Sequence, residues 1–197
     1  MKKTLIYGFM AATFMLAQAC GDAKKEDQSE VANDMNEDKV EAGQTNVAGD
    51  DNEKEDVAEF VVMAAGGGMF EMQAAQLAME KGSTHVKDMA KMIMADHQKS
   101  SDELKAIASA KNLTLPAALD EKHIKHLNDL KEKSGKDFDV AYSEMMMKDH
   151  KMEIEKFKEA AEELKDPELK AFAAKMLPTL EKHHSMAMMH EDHAEKM

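Results

Sequence analysis

From Val57 onward, apolar residues return at every third or fourth position, the period of a helix that buries one face. The pattern predicts a first helix from about Val57 to Lys81, with Phe60, Ala64, Gly67, Glu71, Ala74 and Ala78 on its inner side. Ser83 and Thr84 suit the start of a second helix, which runs to about Lys111 and turns Val86, Ala90, Ile93, His97, Leu104 and Ala108 inward. Leu115-Pro116 breaks the pattern. A shorter helix over about 116–133 uses Ile124, Leu127 and Leu130 before Ser134-Gly135 stops it. A long helix over about 137–164 follows, with Phe138, Tyr142, Met146, His150, Phe157, Ala161 and Leu164 on one stripe. Asp166-Pro167-Glu168 opens the last helix, which reaches about His193 through Leu169, Ala173, Met176, Leu180 and His184. No strand-like alternation interrupts the series. The expectation is an all-α domain over 57–197, a four-helix bundle with a short extra helix in its middle connection.

Two features strain this pattern. Gly66-Gly67-Gly68 falls inside the first helix, at a cost of roughly 1 kcal/mol per glycine relative to alanine. Such a cluster implies close backbone approach by a neighbouring helix, or a local break. Pro178 falls inside the last helix, where a lost backbone hydrogen bond predicts a kink costing about 3 kcal/mol.

The first 56 residues have a different character. Lys2 and Lys3 precede an uncharged, mostly apolar run over 4–19, too short for a membrane span and suited to the core of a signal peptide. The run ends in Leu16-Ala17-Gln18-Ala19-Cys20-Gly21, which resembles a bacterial lipobox. A plain secretory signal is the alternative. Acylation at Cys20 would account for the only cysteine of an exported chain and would anchor it in a membrane. Residues 20–56 are strongly acidic and poor in apolar positions, so the expectation is a disordered tether behind the lipid. The acidic and lysine residues just after Cys20 also resemble the surface-export signals of some bacterial lipoproteins.

Composition narrows the function classes. The net charge is −13 and the 26 basic residues are all lysine, which argues against nucleic acid as a partner. No Gly-Lys-Ser/Thr follows Gly66–Gly68, so no phosphate loop forms there. The serines lack the neighbours that would make a nucleophile, and the one cysteine belongs to the leader. Catalysis is therefore the less favoured class.

Polar residues on the predicted inner faces are the chemical lead. They are Glu71, Asp96-His97, Asp149-His150, Glu153, and Glu181 with His184. Carboxylates and imidazoles converging inside a bundle suit a transition metal. The ligand set read from the pattern is Glu71, His97, His150, Glu181 and His184. Only Glu181–His184 matches the Glu-x-x-His spacing of di-metal carboxylate bundles. A di-metal oxidase is thus one alternative, and histidines merely hydrogen-bonded inside a structural or partner-binding module are another. A second candidate is the C-terminal end, where His183, Met186, Met188, Met189, His190 and His193 mix imidazole with thioether, a combination that suits copper. The bland account of the methionines, 20 in all, is adaptable core filling. Copper, iron and zinc all remain open as the cofactor.

The segments FVVMAAGGGMFEMQAAQLA, VKDMAKMIMADHQKSSDELKAIASAKNLTLP and KDFDVAYSEMMMKDHKMEIEKFKEAAEELKDPELKAFAAKMLPTLEKHH resemble a family of bacterial envelope proteins described as outer membrane proteins of unknown function. The specific parts are the Asp-His pairs at 96–97 and 149–150, Leu177-Pro178 and the turn DPELKAFA. The resemblance implies a ferritin-like bundle and little about activity. Together these readings predict a lipid-anchored envelope protein, facing the periplasm or the cell surface. Its expected role is non-catalytic metal binding or protection of the envelope under stress.

Overall fold

The computed structural model describes residues 27–196, with side-chain surroundings up to Glu191. The expected signal peptide over 1–19, Cys20 and the side chain of His193 lie outside the described residues. Among the described residues there are six helices and no strand: α1 (Gln28–Glu41), α2 (Asp51–Lys81), α3 (Thr84–Lys111), α4 (Glu121–Lys131), α5 (Gly135–Glu163) and α6 (Pro167–Lys196). None of them is long and apolar enough to cross a membrane.

The four long helices pack as neighbours around a shared interior, α2 on α3, α5 on α6, α2 on α5 and α3 on α6. Their starts follow from local chemistry. Asp50 and Glu53 form a reciprocal capping box at α2, satisfying two backbone N–H groups that a helix end leaves free. Asp166 accepts from the backbone N–H groups of Glu168 and Leu169 at the start of α6. Ser83 sits at the cap position of α3, but its side chain makes no cap bond; its backbone N–H donates instead to Asp139 Oδ1 at 3.0 Å. The short helix begins later than its proline suggested. Pro116 lies in the preceding loop, and Asp120 caps α4 by accepting from the N–H of His123 at 2.7 Å.

The expected tether needs the largest correction. Residues 28–56 are not a disordered spacer: they form α1, a loop and the first turns of α2. Asp27 caps α1, and Ala32, Asn36 and Val40, spaced by four, are buried. Asn36 is fully buried, donating to the carbonyl of Thr114 at 3.0 Å and accepting from its N–H at 2.6 Å. Composition missed this helix because one residue of its three-residue buried stripe is an amide.

The apolar interior is divided into two clusters. One gathers Val57, Phe60, Leu104, Phe157, Leu169, Phe172 and Leu180. The other gathers Phe70, Ala74, Ile93, Phe138, Tyr142, Met146 and Ala187. Burying a large apolar side chain contributes about 1.5–3 kcal/mol. Both clusters are therefore strong enough to fix the register of the helices at the level between them. Both strained features are accommodated, since α2 runs unbroken through Gly66–Gly68 and α6 continues through Pro178.

Candidate metal centre

Between the two apolar clusters lies a layer of buried polar side chains, one or two from each long helix. Glu71, His150 and His183 are fully buried, and His97 and Glu153 are nearly so. Glu71 follows Phe70 on α2, and His97 lies one turn past Ile93 on α3. On α5, Met146 and Phe157 hold His150 and Glu153 between them; on α6, Leu180 and Ala187 bracket His183. Glu71, His97, His150 and Glu153 each bring one ligand atom within 4.8 Å of the others. His97, His150 and His183 form an overlapping group on the same criterion.

Hydrogen bonds on the outer side of this layer set the protons. His150 Nδ1 lies 2.8 Å from the carbonyl oxygen of Met146, which can only accept. Nδ1 therefore carries the proton, and Nε2 of the neutral ring is a bare lone pair. His183 Nε2 lies 3.1 Å from Asp96 Oδ2, placed to donate to that carboxylate. His150 Nε2 and His183 Nδ1 lie 3.1 Å apart, within hydrogen-bond distance. A carboxylate or carbonyl behind an imidazole is the arrangement that orients histidine ligands toward a metal.

The carboxylates are equally poised. Glu71 Oε2 is 2.7 Å from His97 Nε2, and Glu71 Oε1 is 3.2 Å from His150 Nδ1. Neither contact has hydrogen-bond alignment, so both Glu71 oxygens and His97 Nε2 are buried without a hydrogen-bond partner, as is Glu153 Oε2. Burial raises the Glu71 carboxyl to about 7, against the opposing pull of His150 and with a push from Asp149. Burial likewise raises Glu153, helped by Glu71. Burial lowers His150 and His183 to about 4 and lowers His97 as well. The imidazoles are thus favoured in the neutral form that ligates a metal, and a cation bound here would displace protons from the carboxyls to solvent. Buried polar atoms without partners cost stability, and a cation among them removes that cost.

Glycine in α2 makes the room. A Cβ on Gly67 would lie 2.5 Å from Glu153 Oε1, so alanine there would displace the carboxylate. The neighbouring Gly66 and Gly68 have space for a methyl group, at 3.7 Å from Ser29 Oγ and 3.5 Å from His97 Nδ1. The expected approach of a neighbouring helix backbone is not found there; the atom close to Gly67 belongs to the Glu153 side chain.

Of the interior set read from the sequence, Glu71, His97 and His150 come together. Glu181 and His184 do not join them. Glu181 is exposed and lies 3.4 Å from Lys158, and His184 is only half-buried. The Glu-x-x-His run, on which the di-metal alternative rested, thus faces away from the layer. His183, assigned by sequence to the tail, takes the interior place. Its burial follows the alternating four-three spacing of Leu169, Ala173, Met176, Leu180, His183 and Ala187; the sequence reading stepped four from Leu180 where the helix steps three. Glu153 was recognised on the inner face but left out of the ligand set, although it follows His150 by three. The remaining tail residues scatter: Met186 packs on the apolar cluster, Met188 and Met189 are exposed, and the ring of His190 lies 6.1 Å from that of His85.

No match is found among curated proteins or solved structures. The family model for DUF4142, a domain of unknown function, matches residues 42–189. That span includes all five residues of the buried layer and excludes α1. With most of its length matched, the chain belongs to the DUF4142 family.

Proposed function

We propose that this protein binds one first-row transition-metal ion between its helices, through Glu71, His97, His150, Glu153 and His183, and acts in metal handling rather than catalysis. The observation that carries the reading is the convergence of Glu71, His97, His150 and Glu153, whose ligand atoms lie within 4.8 Å of one another, with both Glu71 oxygens, His97 Nε2 and Glu153 Oε2 buried without a hydrogen-bond partner. Three imidazoles and two carboxylates are a nitrogen-and-oxygen donor set, which suits Fe(II) or Zn(II) better than Cu(I). The fold proposed is a ferritin-like four-helix bundle built from α2, α3, α5 and α6, with α1 and α4 as additions.

The leader supports an envelope location: export, acylation at Cys20 and anchoring in the outer membrane, with the helical domain facing the periplasm or the cell surface. Residues 21–26 would then be the link between lipid and α1, much shorter than a tether reaching residue 56.

The test is anaerobic titration of the full chain with Zn(II), Fe(II) and Cu(I) against a competing chelator. One equivalent of Zn(II) or Fe(II) retained by the wild type, and lost in His150→Ala, is the expected result. Equal, weak binding by wild type and variant would overturn the proposal and leave the layer a hydrogen-bonded structural feature. Cys20→Ser expressed in a bacterial host should abolish fatty-acid labelling and release the protein from the membrane fraction; retention in that fraction would overturn the anchor.

A further inference from the structure

The polar layer is not sealed on all sides. A groove of about 860 Å³ runs between α1, α2, α4 and α5, and Glu71 and Glu153 line it. Both carboxylates are more than nine-tenths buried and carry oxygens without hydrogen-bond partners. Gly66 and Gly67 also line this groove, so α2 carries no side chain at those two positions. On another side of the layer, the space beside His97 and Glu153 is about 20 Å³, room for about one water.

The groove has a graded chemistry. Its lining includes the exposed acids Asp56, Glu59, Glu155 and Glu163 and two lysines, Lys122 and Lys156, the latter held 2.7 Å from Glu159. Farther in lies Asp149, whose Oδ2 is buried without a partner. Beyond it are Glu71 and Glu153. Acid-lined clefts with low-dielectric walls concentrate cations and speed their arrival. The apolar part of the lining, including Phe60, Phe70 and Met152, supplies those walls. Asn33 and Ser29 of α1 close one side, so a helix outside the family match contributes to this passage.

We propose that this groove is the entrance by which a divalent metal cation reaches the buried layer, drawn by the outer acids and handed inward through Asp149 to Glu153 and Glu71. The inference rests on the metal-binding reading and adds the path, its charge selectivity and the part played by α1.

The experiment follows Co(II) uptake and release by the full chain, read by its visible absorption in stopped flow. Met152→Trp narrows the groove at an exposed position that is no ligand. It should slow association and dissociation alike, by about tenfold, and leave the equilibrium affinity within twofold. Glu59→Lys with Glu155→Lys should slow association several-fold and remove most of the salt dependence of the wild-type rate. Unchanged rates in both variants, with wild-type affinity intact, would overturn the entrance while leaving the site standing. Failure of the wild type to bind Co(II) at equilibrium would overturn the metal reading itself, before any rate is measured. Circular dichroism of each variant separates a blocked groove from a misfolded chain.

Discussion

His150 and His183, on adjacent helices α5 and α6, bring ring nitrogens within 3.1 Å of each other, each ring held from behind by an oxygen of Met146 or Asp96. Removing either ring should therefore remove metal binding, whereas the neighbours that the sequence favoured should not matter. His183→Ala is expected to weaken Zn(II) binding at least a hundredfold. His184→Ala and Glu181→Ala should stay within about twofold of wild type. Asp96→Asn keeps the shape but weakens the acceptor behind His183, and should cost about 10–100-fold in affinity. Competition titration measures all four. A loss in His184→Ala equal to that in His183→Ala would contradict the ligand set.

The three adjacent glycines of α2 should respond differently to the same change. Gly66→Ala and Gly68→Ala meet only ordinary contacts, so each should stabilise the metal-free protein by about 0.5–1 kcal/mol through helix propensity. Gly67→Ala gains the same propensity but drives its methyl group into Glu153 Oε1. Its expected signature is little net change in melting temperature with a tenfold or greater loss of metal affinity. Melting curves with and without Zn(II) distinguish the three; identical behaviour would mean that Gly67 has no special relation to Glu153.

α1 depends on Asn36. Replacing this fully buried amide by alanine strands the N–H and carbonyl of Thr114, at a cost of about 1–3 kcal/mol. Hydrogen exchange should then accelerate across 28–41 while the interiors of α5 and α6 keep their protection. Uniform acceleration everywhere would mean that α1 is part of one cooperative unit with the long helices.

Asp166 joins the loop after α1, the end of α3 and the start of α6. It lies 2.7 Å from Lys111 Nζ and accepts from the N–H of Ala48 at 3.4 Å. Burial alone would raise its carboxyl. The Lys111 hydrogen bond, the Leu169 and Ala48 amides and the Lys111 charge outweigh burial and hold it below the usual aspartate range. A lowered folded value means the stabilisation is present above the ordinary aspartate value, about 3.9, and is lost as pH falls through the folded value. Asp166→Ala should cost about 3 kcal/mol at pH 7 by leaving Lys111 buried beside Glu168 alone. Denaturant midpoints of wild type and variant should converge below pH 4; a constant gap down to pH 2 would show that the loss is packing and not charge.

The errors at particular residues have two physical origins. Buried positions on α6 follow a four-three alternation, and a choice of three or four at one step decides between His183 and His184. Sequence periodicity tolerates either step, because both lie within about 60° of the same face. Contact with α3 and α5 does not: Asp96 and His150 each lie 3.1 Å from a nitrogen of His183. In α1 the difficulty was different. Its buried stripe includes Asn36, whose burial is compensated only by a loop 78 residues away in the chain.

The sequence by itself determined the five helices from α2 to α6, their approximate ends and the inward placement of Glu71, His97 and His150, because these depend on periodicity and capping within a single segment. Tertiary structure alone decided that α1 docks, that Glu153 and His183 complete the layer and Glu181 leaves it, and that Gly67 leaves space for a carboxylate. Each of those outcomes depends on the register between helices, which the two apolar clusters set jointly and no single helix encodes.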